Sequence, residues 1–125
     1  MTNVPTFMMN IPSSYDTAVR NNVWMEEYDD EDIIVNKPKA IREMWEVYSF
    51  LASQGFVYLL PTPIDCKLQD LVFVANNGIV LQHTPIYIGS NFKATNRIGE
   101  EVIGMRFFDS LGYKTIRSPF EFEGE

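Results

Sequence analysis

Asp70-Leu71-Val72-Phe73-Val74-Ala75-Asn76-Asn77-Gly78-Ile79-Val80 is the stretch on which the fold turns. Apolar residues crowd both halves. Asn76-Asn77-Gly78, between them, are residue types that tolerate left-handed backbone and make tight turns, so the stretch reads as strand, turn, strand. Asp70 opens the apolar run and Asn76 follows its last strand residue. Polar side chains at both ends of a segment fit for burial are costly unless paired. Either they cap a hairpin, or they serve something other than structure.

Downstream of this hairpin the pattern continues with a strand near 85–89, a loop, a helix near 97–111 and a strand at 113–117, the hairpin itself spanning strands near 70–75 and 79–82. Upstream, Ile41, Met44, Trp45, Tyr48, Leu51 and Ala52 fall at the three-and-four spacing of one apolar helix face. Pro38 suits the first turn of that helix and Gly55 its C-terminal cap. Phe56-Val57-Tyr58-Leu59-Leu60 follows as a buried strand. The two halves match one another: Ile98, Glu100, Met105, Phe107, Phe108, Ser110, Gly112 and Tyr113 lie 57 positions after Ile41, Glu43, Tyr48, Phe50, Leu51, Ser53, Gly55 and Phe56, since 112 − 55 = 57. An offset that holds without a gap through helix, glycine and strand predicts an internal repeat. Each unit is expected to be a hairpin, a helix and a returning strand (ββαβ), an α+β arrangement with unit one at about 5–61 and unit two at about 68–118. Phe120-Glu121-Phe122-Glu123-Gly124-Glu125 reads as the opening of a third.

The flanking segments add chemistry. Residues 7–16 begin as a short apolar strand and break at Pro12-Ser13-Ser14. Trp24-Met25, in a loop, either anchors that loop to the core or contacts a ligand. Glu26, Glu27, Asp29, Asp30, Glu31 and Asp32 crowd one short segment, yet no glycine or ligand spacing fits a calcium loop, so a solvated acidic loop is expected and no metal. The formal charge of −7 opposes binding to a phosphate backbone and favours a cationic ligand. No apolar run suits a membrane span. The N-terminus lacks the features of a secretory signal and the single cysteine makes no internal disulfide, which together predict a cytoplasmic protein.

Met9-Asn10-Ile11-Pro12-Ser13-Ser14-Tyr15-Asp16, Asn22-Val23-Trp24-Met25, Asp70 through Gly78, Arg97-Ile98-Gly99-Glu100 and Phe122-Glu123-Gly124-Glu125 resemble, in order, segments of the guanidino-modifying enzymes of the pentein superfamily. The branch is that of the dimethylarginine dimethylaminohydrolase-like and amidinotransferase-like proteins. The resemblance implies an α/β propeller of five ββαβ units around a central site, of which about two are present here. It also implies the chemistry: carboxylates hold a planar guanidinium, a thiolate attacks its carbon, and a histidine protonates the departing amine. Neither a metal nor an organic cofactor is implied.

Carried over by position, Asp70 holds the substrate guanidinium and Phe73 walls the pocket. Asn76 lies where many relatives place a carboxylate. Arg97 either pairs with the carboxylate of an amino-acid substrate or makes a surface ion pair with Glu100 or Glu101. Glu123 is the candidate carboxylate that orients a catalytic histidine, although the Gly-Asp that continues this motif in the family is not found after it. Cys66 and His83 do not stand where the family keeps its nucleophile and acid, and no spacing rule joins them; they read as bystanders. The expectation is therefore an N-terminal portion of a guanidino-modifying enzyme, supplying part of the substrate site and inactive alone. Its ligand is an arginine-like small molecule. Its exposed strand edges favour self-association or pairing with a complementary C-terminal chain. A non-catalytic binding or assembly module that keeps the scaffold is the alternative.

Overall fold

A computed structural model describes residues 3–20, 23–81 and 83–124. The chain begins with strand β1 (Thr6–Asn10) and passes through a long connection to helix α1 (Lys37–Ala52) and strand β2 (Phe56–Leu60). β1 and β2 pair in parallel, Thr6 opposite Phe56 and Asn10 opposite Leu60, so α1 is the crossover that parallel strands require. Asn10 is buried at the end of β1, where its Nδ2 donates to the Leu60 carbonyl and to Thr62 Oγ1, both at 2.9 Å.

The second half comprises β3 (Gly78–Val80), β4 (Ile86–Gly89), helix α2 (Glu100–Ser110) and β5 (Lys114–Arg117). β3 runs antiparallel to β4, and β4 parallel to β5, giving a three-stranded sheet in the order β3-β4-β5. This is the expected ββαβ order. In the first half the described residues form β1, a short 3₁₀ helix at Val23–Glu27, α1 and β2, with no hairpin ahead of α1. The strand expected to reach 82 is seen to Val80, and residue 82 lies outside the described residues, as do Asn22 and Glu125.

The hairpin expected at 70–80 is replaced by a winding path. The amides of Leu71, Phe73 and Asn76 donate to the carbonyls three residues earlier, of Leu68, Asp70 and Phe73 (3.0–3.3 Å), and Val74–Asn77 close a 3₁₀ turn. Only Gly78–Val80 enter a sheet. The reason lies in the side chains. Asp70 and its neighbour Leu71 are both buried, which a pleated strand that alternates faces does not allow against one core. Asn77, also buried, needs its side chain satisfied, and finds the Glu100 carbonyl and Tyr87 (2.9 Å each) by leaving the extended path.

The two helices are seated differently. Asn36 caps α1 by accepting from the Lys39 amide (3.0 Å), with Pro38 in the first turn as expected. Of its apolar face only Met44 is buried, and Trp45 is exposed. α2 buries Glu100, Glu101, Gly104 and Phe108. The Phe108 ring stacks on Tyr87 at 4.2 Å, forming with Leu60, Leu71 and Phe92 the apolar centre. The two glycines matched by the offset do different work. Gly112 adopts φ 85°, the left-handed stop that favours glycine. Gly55 is not left-handed; a side chain there would run into the Pro5 carbonyl at the foot of β1. Among the described residues no helix is long and apolar enough to cross a membrane.

Candidate functional site

A cavity of about 700 Å³ opens where the two halves meet the long connection. Tyr15, Asp16 and Thr17 line it from the segment after β1. Trp24, Met25, Tyr28, Asp32 and Ile33 line it from the connection, Asp70, Phe73 and Asn76 from the wound stretch, and Ala94, Arg97 and Glu123 from the second half. The lining thus holds the side chains of Asp16, Asp32, Asp70 and Glu123 with that of Arg97, four acids to one base. The Tyr15 ring meets Phe73 edge-on at 5.9 Å, so one wall is aromatic. Carboxylates beside aromatic faces form a surface suited to a planar organic cation.

Backbone pairing puts Glu123 there. Asn91 and Phe122 exchange amide-to-carbonyl hydrogen bonds at 3.0 and 3.2 Å, and the Gly124 amide donates to the Asn76 carbonyl at 3.0 Å. Asn76 answers with its Nδ2, donating to the Gly124 carbonyl at 3.1 Å. Ser90 Oγ ties the same knot, donating to the Asn76 carbonyl (2.6 Å) and accepting from the Gly124 amide (2.9 Å). A side chain at Gly124 would meet the carbonyls of Gly78 and Ala75, so only glycine lets the chain lie this close.

Arg97 is the hub. It sits in a short turn at Thr95–Arg97 and is 7% exposed. Its Nε donates to Glu100 Oε1 at 3.0 Å and its NH2 to Glu100 Oε2 at 2.9 Å, a two-pronged grip on a carboxylate that is fully buried. NH1 reaches Asn76 Oδ1 and Glu123 Oε2, both at 3.3 Å, and the guanidinium lies 4.5 Å over the Phe92 ring. Burial opposes the Arg97 charge, but the hydrogen bond and charge of Glu100, with Glu123 and Asp70, more than offset it and leave its pKa raised. Burial also raises Glu100 above the usual carboxylate range; Arg97 pulls it down, and Asp70 and Glu123 push it up.

Asp70, Phe73, Asn76, Arg97 and Glu123 thus converge on one cavity from stretches far apart in sequence. The ion pair between Arg97 and Glu100 exists but is not on the surface. Its depth leaves NH1 as the nitrogen turned toward Asn76 and Glu123. Trp24 is 70% exposed, so it lines the cavity mouth and does not anchor its loop in the core. The acidic segment is largely exposed, and Arg20 pairs with Asp30 at 2.7 Å. Asp32 nonetheless belongs to the cavity, and the Thr17 hydroxyl donates to the Ile33 carbonyl, holding the connection against the segment after β1. Cys66 is half-buried and His83 exposed, and neither lines the cavity. Asp16, Tyr28 and Asp32 had no periodic signal to mark them. Among the described residues no cluster of three metal-ligating side chains exists.

No protein-family model and no curated protein matches the chain. Solved structures do. Unliganded AgrE superposes with a TM-score of 0.82 and 30% identity over 95% of this chain, and AgrE in complex with ornithine and NAD+ matches to the same extent. The substrate-bound N-terminal domain of ArgZ, an arginine dihydrolase from the ornithine-ammonia cycle in Cyanobacteria, matches with a TM-score of 0.81 and 26% identity over 94% of the chain. The chain spans 17% of AgrE and 41% of that ArgZ domain. With the fold shared over nearly all its length, the chain belongs to the pentein superfamily and matches part of the N-terminal domain of ArgZ.

Proposed function

We propose that the chain supplies the guanidinium-holding wall of an enzyme that breaks a carbon–nitrogen bond of an arginine-like substrate. The observation that carries this reading is the convergence of Asp70, Glu123, Asp16 and Asp32 on one cavity beside the Phe73 and Tyr15 rings. In this reading Asp70 accepts from the ligand guanidinium, Phe73 walls its plane and Asn76 sets which nitrogen substituents fit. Arg97 offers NH1 to a substrate carboxylate, since its other edge is closed on Glu100. Glu123 orients an acid histidine and adds its negative charge to the ligand guanidinium's surroundings.

The covalent step needs a thiolate that forms a bond to the guanidinium carbon while a carbon–nitrogen bond breaks and the amine leaves with a proton from the histidine. Cys66 and His83 stand apart from the cavity, so in this reading other residues of the complete enzyme bring the nucleophile and acid, and the chain alone binds without turnover. The two strand–helix–strand segments are then two blades of a five-fold propeller. Association with a second copy or a complementary chain covers their edges.

The test is a calorimetric titration of L-arginine into the chain and into Asp70→Asn. Loss of one charge-assisted contact predicts binding weakened by about tenfold or more in the variant. A wild-type chain that takes up no arginine at millimolar concentration, or a variant that binds as well as wild type, overturns the reading.

A further inference from the structure

We propose that Glu100 is a positioning residue of the cavity, holding the Arg97 guanidinium so that it does not compete with a bound guanidinium ligand. This rests on the functional reading above and deepens it.

A site for a guanidinium that contains a guanidinium of its own carries a built-in competitor. Arg97 lines the same cavity as Glu123 and Asp70, and its NH1 is already 3.3 Å from Glu123 Oε2. An arginine side chain left to rotate would turn its two-pronged edge to Glu123 and satisfy that carboxylate from within. Glu100 prevents this. It does not line the cavity and is fully buried, and it takes the two-pronged edge for itself at 2.9 and 3.0 Å. Phe92, beneath the guanidinium face, fixes the plane.

The backbone of Glu100 is tied in turn. It opens α2, and its carbonyl accepts from Asn77 Nδ2 at 2.9 Å, while Asn77 is held by the Tyr87 hydroxyl. The contacts from Arg97 to Glu123 and Asn76 are longer than those to Glu100, so they are the ones a ligand displaces. Glu100 therefore acts through Arg97, keeping its two-pronged edge away from Glu123.

The test uses methylguanidinium, a probe with no carboxylate, titrated into wild type, Glu100→Gln, and Glu100→Gln combined with Arg97→Met. The amide keeps size and an acceptor but loses the charge, so Arg97 turns to Glu123 and affinity falls about tenfold or more. Removing the competitor in the double variant restores affinity to within about threefold of wild type, a rescue that a merely structural role does not give. Single-variant binding equal to wild type, or no recovery in the double, overturns the proposal. If wild type binds no methylguanidinium, the functional reading falls, and the Arg97 Nε–H resonance decides this proposal separately. That signal is expected to be protected from exchange in wild type, to shift in Glu100→Gln and to shift again when Glu123→Gln is added; an unchanged signal in Glu100→Gln overturns it. Should Glu100→Gln not fold, the double variant, which removes both charges of the buried pair, is compared with wild type directly, and a loss of binding there overturns the proposal.

Discussion

The two strand–helix–strand segments share a sequence offset and a parallel pairing, yet one is scaffold and the other carries the interior. In β1–α1–β2 the helix buries a single methionine and shows Trp45 and Phe50 to the outside. In β4–α2–β5 the helix buries two glutamates, a glycine and Phe108, and its first turn meets the hub of the cavity. The connections differ as well: before α1, residues 15–17 and then Trp24, Met25, Tyr28, Asp32 and Ile33 line the cavity, whereas the shorter connection over 90–99 buries Ser90, Phe92 and Arg97. The two segments thus share a strand–helix–strand path and a parallel pairing without sharing a pattern of burial.

Paired substitutions at matched positions sharpen this contrast. The largest effect is expected at Phe108→Ala, which removes the ring stacked on Tyr87 and costs about 3–5 kcal/mol in a denaturant titration. Leu51→Ala, at the matched position in α1 (108 − 57 = 51), is half-buried and costs about 1–2 kcal/mol. Equal losses would break the comparison.

The glycines come next. Gly55→Ala drives a methyl into the Pro5 carbonyl and is expected to cost about 2–3 kcal/mol, while Gly112→Ala has open space around it and loses only the left-handed preference, about 1 kcal/mol. Thermal melts that reverse this order would show that the two glycines share a role after all. Smallest is Asn36→Ala. It removes the exposed side-chain cap of α1 for about 0.5 kcal/mol. At the corresponding end of α2 the Gly99 amide donates instead to Glu101 Oε2 at 2.9 Å, a contact inside the packed region.

Much of this was legible in the residues. The helix observed over Lys37–Ala52 follows from apolar spacing and the strand after it from a short apolar run, while the helix ahead of Gly112 and the strand beyond it follow from the 57-residue offset. The five residues marked by their motifs do meet in one cavity. What escaped has physical causes. The apolar run at 70–80 carries no alternation, so its winding depends on the needs of Asp70 and Asn77, which only tertiary partners reveal. Glu100 resembles any surface glutamate at a helix start, and its full burial follows from Arg97 being buried beside it. Asp16 and Asp32 sit in a connection without periodicity, where sequence gives a charge but no direction.

The lacing of Ser90, Asn76 and Gly124 reaches past the fold to the way such a cavity can change. Phe122 and Gly124 are fastened through amides and carbonyls, so the location of residue 123 is fixed whatever side chain it bears. Position 123 is a socket. A different acid, an amide or a hydroxyl there is expected to keep the backbone ties at Phe122 and Gly124 while altering the contact to Arg97 NH1, so that the lining changes its chemistry while its architecture stands still.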